Sequence, residues 1–149
     1  MRAVWQRVSR AGVVVDNETV SEIGPGALVL LGIQDDDTER DAEFIADKCV
    51  NLRLFENEEG RFDRSLLQVQ GEILLVSQFT LLGDCRKGRR PSFSRAAAPD
   101  RAKKLYEKTA ELMKTRGVNV KTGIFQAYMK VSLVNDGPVT VLLDSRKEF

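Results

Sequence analysis

Ala27-Leu28-Val29-Leu30-Leu31-Gly32-Ile33 is an almost wholly apolar run of strand length, set off by the punctuation of Gly24-Pro25-Gly26 before it. It reads as a buried central strand, and the rest of the chain arranges around it. Downstream, Asp35, Asp36 and Asp37 read as a loop leading into a helix, since they lack the spacing and the terminal Glu of a calcium loop. Thr38 can cap that helix with Asp41 at its third position, a weak capping box. Ala42, Ile45, Cys49 and Leu52 then recur at helical spacing, which makes Cys49 an inert core residue.

Upstream, Ala3–Val8 and Val13–Val15 are short β-prone runs. Asp16-Asn17 offers a turn before the alternating Thr19–Ile23, so a hairpin is expected. Glu56–Arg61 is polar and contains Gly60, which marks a loop or turn. Ile73–Thr80 is the next strong strand. Pro99 suits the first turn of a second helix, whose stripe is Ala102, Leu105, Leu112 and Met113, with Gly117 as its stop. Met129–Val134 and Val139–Leu143 follow as strands, with Asn135-Asp136-Gly137-Pro138 where a hairpin turn belongs. Hairpins with two main helices make an α+β pattern, and no linker or repeat divides residues 1–149.

The composition excludes more than it suggests. The chain has 23 basic and 22 acidic residues, so its net charge of +1 implies no particular partner. No histidine is present, which removes a Ser-His-Asp triad, a Cys-His pair and the histidine-bearing zinc sites. Two cysteines far apart make no disulfide framework, and neither metal nor organic cofactor is expected. No signal peptide or membrane span is legible, and a reducing cytoplasm is the expected compartment.

Three segments are candidates for chemistry. Ser77-Gln78-Phe79-Thr80 ends a strand just before Gly83, where rigid backbone can hold a group that a loop leaves accessible. The simpler reading turns Gln78 and Thr80 to solvent and Phe79 to the core. Asn135-Asp136-Gly137-Pro138 reads on composition as an ordinary turn, although an X-Pro bond can be cis. Arg86-Lys87-Gly88-Arg89-Arg90, continued by Arg95, Arg101, Lys103 and Lys104, could hold phosphates or be merely a charged surface.

The same segments resemble the D-aminoacyl-tRNA deacylases. Ser77-Gln78-Phe79-Thr80-Leu81 is similar to that family's first signature motif, and Asn135-Asp136-Gly137-Pro138-Val139-Thr140 to its second. Gln6-Arg7-Val8, Glu22-Ile23-Gly24, Leu30-Leu31-Gly32, Arg90-Pro91-Ser92-Phe93-Ser94 and Val131-Ser132-Leu133-Val134 agree in the same order. The resemblance implies a barrel-like core of mixed sheet and a cytoplasmic homodimer. It also implies hydrolysis of the ester joining a D-amino acid, or glycine mischarged onto alanine tRNA, to the 3′ end of tRNA. Ser77, Gln78, Phe79 and Thr80 would line the pocket, and a Gly-cis-Pro pair, Gly137 and Pro138, would enter from the partner subunit. Arg86, Lys87, Arg89 and Arg90 would then contact tRNA. An aminoacyl ester is already activated, so oriented backbone amides and the vicinal 2′-hydroxyl can do the work of a missing histidine. Nothing in the sequence would deprotonate Thr80, which therefore reads as a hydrogen-bonding residue rather than a nucleophile. A noncatalytic RNA-binding module and a purely structural protein are the competing readings. Lys147-Glu148-Phe149 lies outside the motifs and receives no role.

Overall fold

In the computed structural model, which describes residues 1–149, the apolar run forms strand β3 (Gly26–Gly32) in the middle of a six-stranded sheet. Strand β1 (Arg2–Val15) pairs antiparallel with β3 through its first half and with β2 (Glu18–Ile23) through its second. The two short runs expected there are thus one strand of 14 residues. The exposed Ser9 and Arg10 interrupt the apolar pattern but not the strand, because β8 (Lys130–Asp144) backs β1 along nearly its whole length. On the other side β3 pairs parallel with β6 (Glu72–Ser77), and β6 parallel with β7 (Asn119–Thr122).

Parallel neighbours need long crossovers, and the helices supply them. Helix α1 (Glu39–Asn51) lies between β3 and β6 in the chain, and α2 (Pro99–Thr115) between β6 and β7. Between α1 and β6 the chain adds a small hairpin of β4 (Arg53–Glu56) and β5 (Phe62–Ser65).

The central strands are apolar on both faces because each face meets a separate core. Ala27, Val29, Leu31, Ile73 and Leu75 pack toward the helices, against Ile45 and Cys49 of α1 and Leu105 and Met113 of α2. Leu28, Leu74 and Val76 point the other way and join Val8, Ala11, Val13 and Ile23. The sheet curls around this second core until its two ends meet. Ser21 Oγ of β2 donates to Thr122 O of β7 at 2.6 Å, and Lys121 Nζ donates to Glu22 O at 2.7 Å. The result is a nearly closed barrel with both helices on one side.

Local chemistry follows the residues. Asp41 accepts from the backbone N–H and hydroxyl of Thr38 at 2.8 and 3.0 Å, closing the start of α1. Burial alone would raise the Asp41 carboxyl, but hydrogen bonds from Ser145 and Thr38, with the Arg146 charge, hold it down at about 2. Cys49 is fully buried, and burial pushes its thiol far above the usual range, as an inert core residue requires. Asp37 is committed to structure: it accepts from the Met1 ammonium at 2.6 Å and from Gln34 N at 2.7 Å. No helix is long and apolar enough to cross a membrane.

The expected turn between the last two strands does not form. Asn135-Asp136-Gly137-Pro138 does not reverse the chain, because β8 runs straight on as a strand of 15 residues. Val8 pairs with Asn135 and Gln6 with Thr140, so five steps along β8 match two along β1. The surplus residues bulge outward from a continuous strand. Turn-forming composition marks either a reversal or a bulge, and here the long β1 ladder on both sides selects the bulge.

Candidate active site

Strand β6 ends at Ser77, three residues earlier than the sequence suggests. Gln78 N still donates to Leu31 O at 2.8 Å, and the chain then enters a 3-10 turn, Phe79–Leu82. Two glycines make room for that turn. A Cβ on Gly32 would lie 3.0 Å from Gln78 O, and one on Gly83 would lie 3.0 Å from the Phe93 ring. The first bond inside the turn runs from Leu81 N to Gln78 O, at 3.3 Å. The amides of Phe79 and Thr80 therefore precede any intra-turn acceptor, as the first N–H groups of a helical segment always do.

Phe79 does not fill the core. It is 58% exposed and rests edge-on against Phe93 with ring centroids 5.1 Å apart. Ser77, Gln78 and Phe79 form one wall of a cleft of about 540 Å³, with Ala96 and Ala97 beside them and the Gln126–Met129 loop opposite. Thr80 is exposed and outside this lining, and its hydroxyl oxygen accepts a hydrogen bond from Gln78 Nε2. No carboxylate, thiol, amine or guanidinium lines the cleft, whose sole ionisable group is the phenol of Tyr128. The opposite wall was not legible in the sequence. Gln126-Ala127-Tyr128-Met129 has no periodicity and no motif chemistry, and only the fold brings it across from β6.

A slightly larger hollow, about 600 Å³, lies between β1, β2 and β8. Two of its charged groups are tied into the barrel seam: Glu72 accepts from Gly24 N at 2.9 Å and from Asn119 Nδ2 at 2.7 Å, and Lys121 Nζ donates to Glu22 O. The smaller, more apolar cleft is the better place for chemistry, because its polar groups are few and convergent.

Gly137 and Pro138 are exposed, joined by a cis peptide bond, and absent from the cleft of their own chain. Two side chains brace the bulge that carries them. Arg7, buried in β1, donates from Nε to Asp136 O at 2.7 Å and from NH1 to Leu54 O at 2.9 Å. Asn135 reaches past the bulge: its Oδ1 accepts from Val139 N at 2.7 Å, and its Nδ2 donates to Thr140 Oγ1 at 2.9 Å.

The basic cluster divides into two groups. Arg86 is tied to Asp84 by bonds of 2.9 and 2.6 Å, and these bonds hold the Asp84 carboxyl well below its usual range. Arg95 pairs with Glu148, and Arg101 donates to Asp37 O at 2.6 Å. Lys87, Arg89 and Arg90 are exposed and make no ion pair. Four neighbouring positive charges expected on one loop are thus three free ones and one neutralised locally.

Known proteins match this chain and its fold. A family profile described as D-Tyr-tRNA(Tyr) deacylase matches residues 4–144. Proteins named D-aminoacyl-tRNA deacylase are similar over the full length of both chains: 60% identical in Thermoanaerobacter pseudethanolicus, 58% in Kosmotoga olearia and 56% in Thermotoga petrophila. A solved structure titled c-Myc DNA Unwinding Element Binding Protein is 44% identical, with a TM-score of 0.91 over 97% of this chain and 98% of that one. A probable eukaryotic D-amino acid tRNA deacylase shares the fold, with a TM-score of 0.83 at 20% identity over 95% of this chain and 97% of that one. With its sheet, its cleft and both motif segments in place, the chain belongs to the D-Tyr-tRNA(Tyr) deacylase family.

Proposed function

We propose that this protein hydrolyses the ester bond of D-aminoacyl-tRNA, releasing the amino acid and free tRNA. The observation that carries the reading is the composition of the cleft. One wall presents the strand-end segment Ser77–Phe79 and the amides of an incipient 3-10 turn, and the lining contains no side-chain general base. Such a site suits an activated acyl group. Backbone N–H groups stabilise the oxyanion of the tetrahedral intermediate, and the vicinal 2′-hydroxyl of the terminal adenosine orients or activates water. Thr80 then serves as a hydrogen-bonding neighbour, since its hydroxyl has Gln78 as partner and no base. Glycine mischarged onto alanine tRNA fits the same chemistry.

In this reading the active unit is a homodimer in a cytoplasmic setting. Strand β8 pairs only with β1, so its other edge is free along a strand that also exposes Val134 and Leu142. A second copy seated there brings its Gly137–Pro138 bulge toward the cleft, where a backbone wall excludes an L side chain and admits a D side chain or hydrogen. A thousandfold preference needs a difference of only about 4 kcal/mol between the two transition states. Lys87, Arg89 and Arg90 supply the sequence-independent hold on RNA phosphates.

The test is to incubate the protein with D-tyrosyl-tRNA, L-tyrosyl-tRNA and D-tyrosyl-tRNA ending in 2′-deoxyadenosine. Rapid loss of the first alone supports the whole reading. Equal loss of the D and L forms breaks the chirality gate, and full activity on the deoxy substrate breaks the 2′-hydroxyl role. A second reading, a noncatalytic nucleic-acid binder, draws on the free Lys87, Arg89 and Arg90 and on the DNA-binding title of the 44%-identical structure. Tight tRNA binding without turnover of any ester selects it.

A further inference from the structure

The C-terminal tail, which no motif explains, ends on an unusual contact. The carboxylate of Glu148 is held by two arginines from distant parts of the chain. Arg95 grips it as a fork, NH1 donating to Oε2 at 3.0 Å and NH2 to Oε1 at 2.5 Å. Arg2 NH2 adds a third bond to Oε2 at 2.6 Å. Hydrogen bonds from Arg95, outweighing a little burial, and the bond from Arg2 bring the Glu148 carboxyl down to about 2.

Each guanidinium is also fixed by contacts independent of the tail. Arg2 donates from Nε to Asp144 Oδ2 at 3.2 Å and from NH1 to Leu81 O at 3.3 Å. Arg95 NH2 donates to Gln34 Oε1 at 3.1 Å. Each cation therefore keeps a hydrogen-bond partner outside the tail. They face a hollow of about 510 Å³ that also includes Cys85 and the paired Asp84 and Arg86, at the start of the loop carrying Lys87, Arg89 and Arg90. Leu81, the anchor of Arg2, belongs to the 3-10 turn beside the candidate active site. The tail itself is held by surface groups: Phe149 is 62% exposed, its ring 5.4 Å from the Arg2 guanidinium. Glu148 and Arg95 are 37% and 40% exposed, so an arriving anion can reach the pair from solvent.

We infer that Arg2 and Arg95 form a phosphate-binding site for the RNA backbone, and that the Glu148 carboxylate occupies it as a displaceable stand-in. A forked guanidinium matches a phosphate as well as a carboxylate, and the same two donors accept either anion. When RNA approaches along the basic loop, a phosphodiester replaces Glu148, and the contact through Leu81 places that phosphate next to the catalytic turn. The tail thus competes with the substrate and suppresses the binding of unrelated anions. This inference rests on tRNA being the substrate, as proposed above.

The test uses the full chain and unacylated tRNA, so that no turnover is needed. Glu148→Gln should tighten tRNA binding about threefold to tenfold, whereas Arg95→Gln should weaken it and flatten the salt dependence by about 0.7 in log-log slope, the loss of one single-strand phosphate contact. In an Arg95→Gln background the same change should give no gain. Arg2→Gln, which removes the other guanidinium, replaces that background if Arg95→Gln does not fold. An equal gain in both backgrounds would mean a general charge effect and overturn the site, as would unchanged affinity in Glu148→Gln. A parallel assay on D-tyrosyl-tRNA reports separately on the proposed activity. Should the wild type fail there, inorganic phosphate at fixed ionic strength still decides: it should raise the Tm of Glu148→Gln and leave that of Arg95→Gln/Glu148→Gln unchanged, and no rise in the former defeats the site.

Discussion

The segments 77–80 and 135–138 both leave the regular sheet, yet they are held in opposite ways. The first is fixed by main-chain bonds: Gln78 N to Leu31 O at 2.8 Å, Leu81 N to Gln78 O at 3.3 Å and Gly83 N to Thr80 O at 3.0 Å. The second depends on side chains, with Arg7 holding Asp136 O and Asn135 spanning from the start of the bulge to Val139 and Thr140. A segment shaped by its own backbone tolerates changes of side chain. One propped by neighbours fails when a prop or the space it needs is altered. The comparison therefore predicts unequal sensitivity at the two motifs.

The largest effect should come from Gly137→Ala. Gly137 sits at φ +151°, and an added Cβ would lie 2.7 Å from Val139 Cγ2 and 2.9 Å from Val139 N. Part of that obstruction is main chain, so the bulge itself must move. Such strain costs about 1–3 kcal/mol, and a displacement near 1 Å at a positioning element costs about a hundredfold in rate. Deacylation of D-tyrosyl-tRNA by the folded variant is the measurement. Activity within a factor of about three of wild type would show that the bulge does not shape the site.

Asn135→Ala should come next. It leaves the part-buried Val139 amide without its partner and the exposed Thr140 hydroxyl with only the 3.4 Å bond from Gln6. The expected loss is about 1–2 kcal/mol of stability, or a Tm lower by about 5 °C, with a smaller fall in rate than for Gly137→Ala. A thermal melt indistinguishable from wild type would mean that Arg7 alone supports the bulge.

The contrast also explains what was legible in the sequence. The strands β3 and β6, helices α1 and α2 and the inertness of Cys49 follow from local pattern, because each is decided by the spacing of its own apolar residues. The bulge was not legible. Asn-Asp-Gly-Pro specifies a departure from regular geometry, but whether the chain reverses there depends on β1, more than a hundred residues away. Strand β7 is only four residues, Asn119–Thr122, and owes its pairing to β6 rather than to any alternation of its own. At the candidate site, Ser77, Gln78 and Phe79 carry the motif resemblance that the sequence shows, whereas Tyr128 and its loop neighbours enter the cleft only through the fold. Arg86 could not be told from Lys87 or Arg89, since its pairing with Asp84 depends on the loop's conformation.

The smallest effect should be that of Thr80→Val, which tests the backbone-held side directly. The Thr80 backbone shapes the turn, while its side chain is exposed, lies outside the cleft lining and has only Gln78 Nε2 as partner. Valine keeps the shape and removes the hydroxyl, and water can satisfy the released Gln78 amide. Removing a donor aimed at an oxyanion typically costs a hundredfold or more, so a group outside the cleft should cost less than about tenfold. Two further readouts make the test specific. No acyl-enzyme should accumulate when the wild-type reaction is quenched rapidly, because no base is placed to activate the hydroxyl. The pH profile should lack the bell shape that a side-chain acid and base produce, since the chain has no histidine and the cleft no carboxylate. A hundredfold loss in Thr80→Val, together with an aminoacyl ester trapped on the Thr80 oxygen, would make Thr80 the nucleophile and reverse the contrast between the two segments.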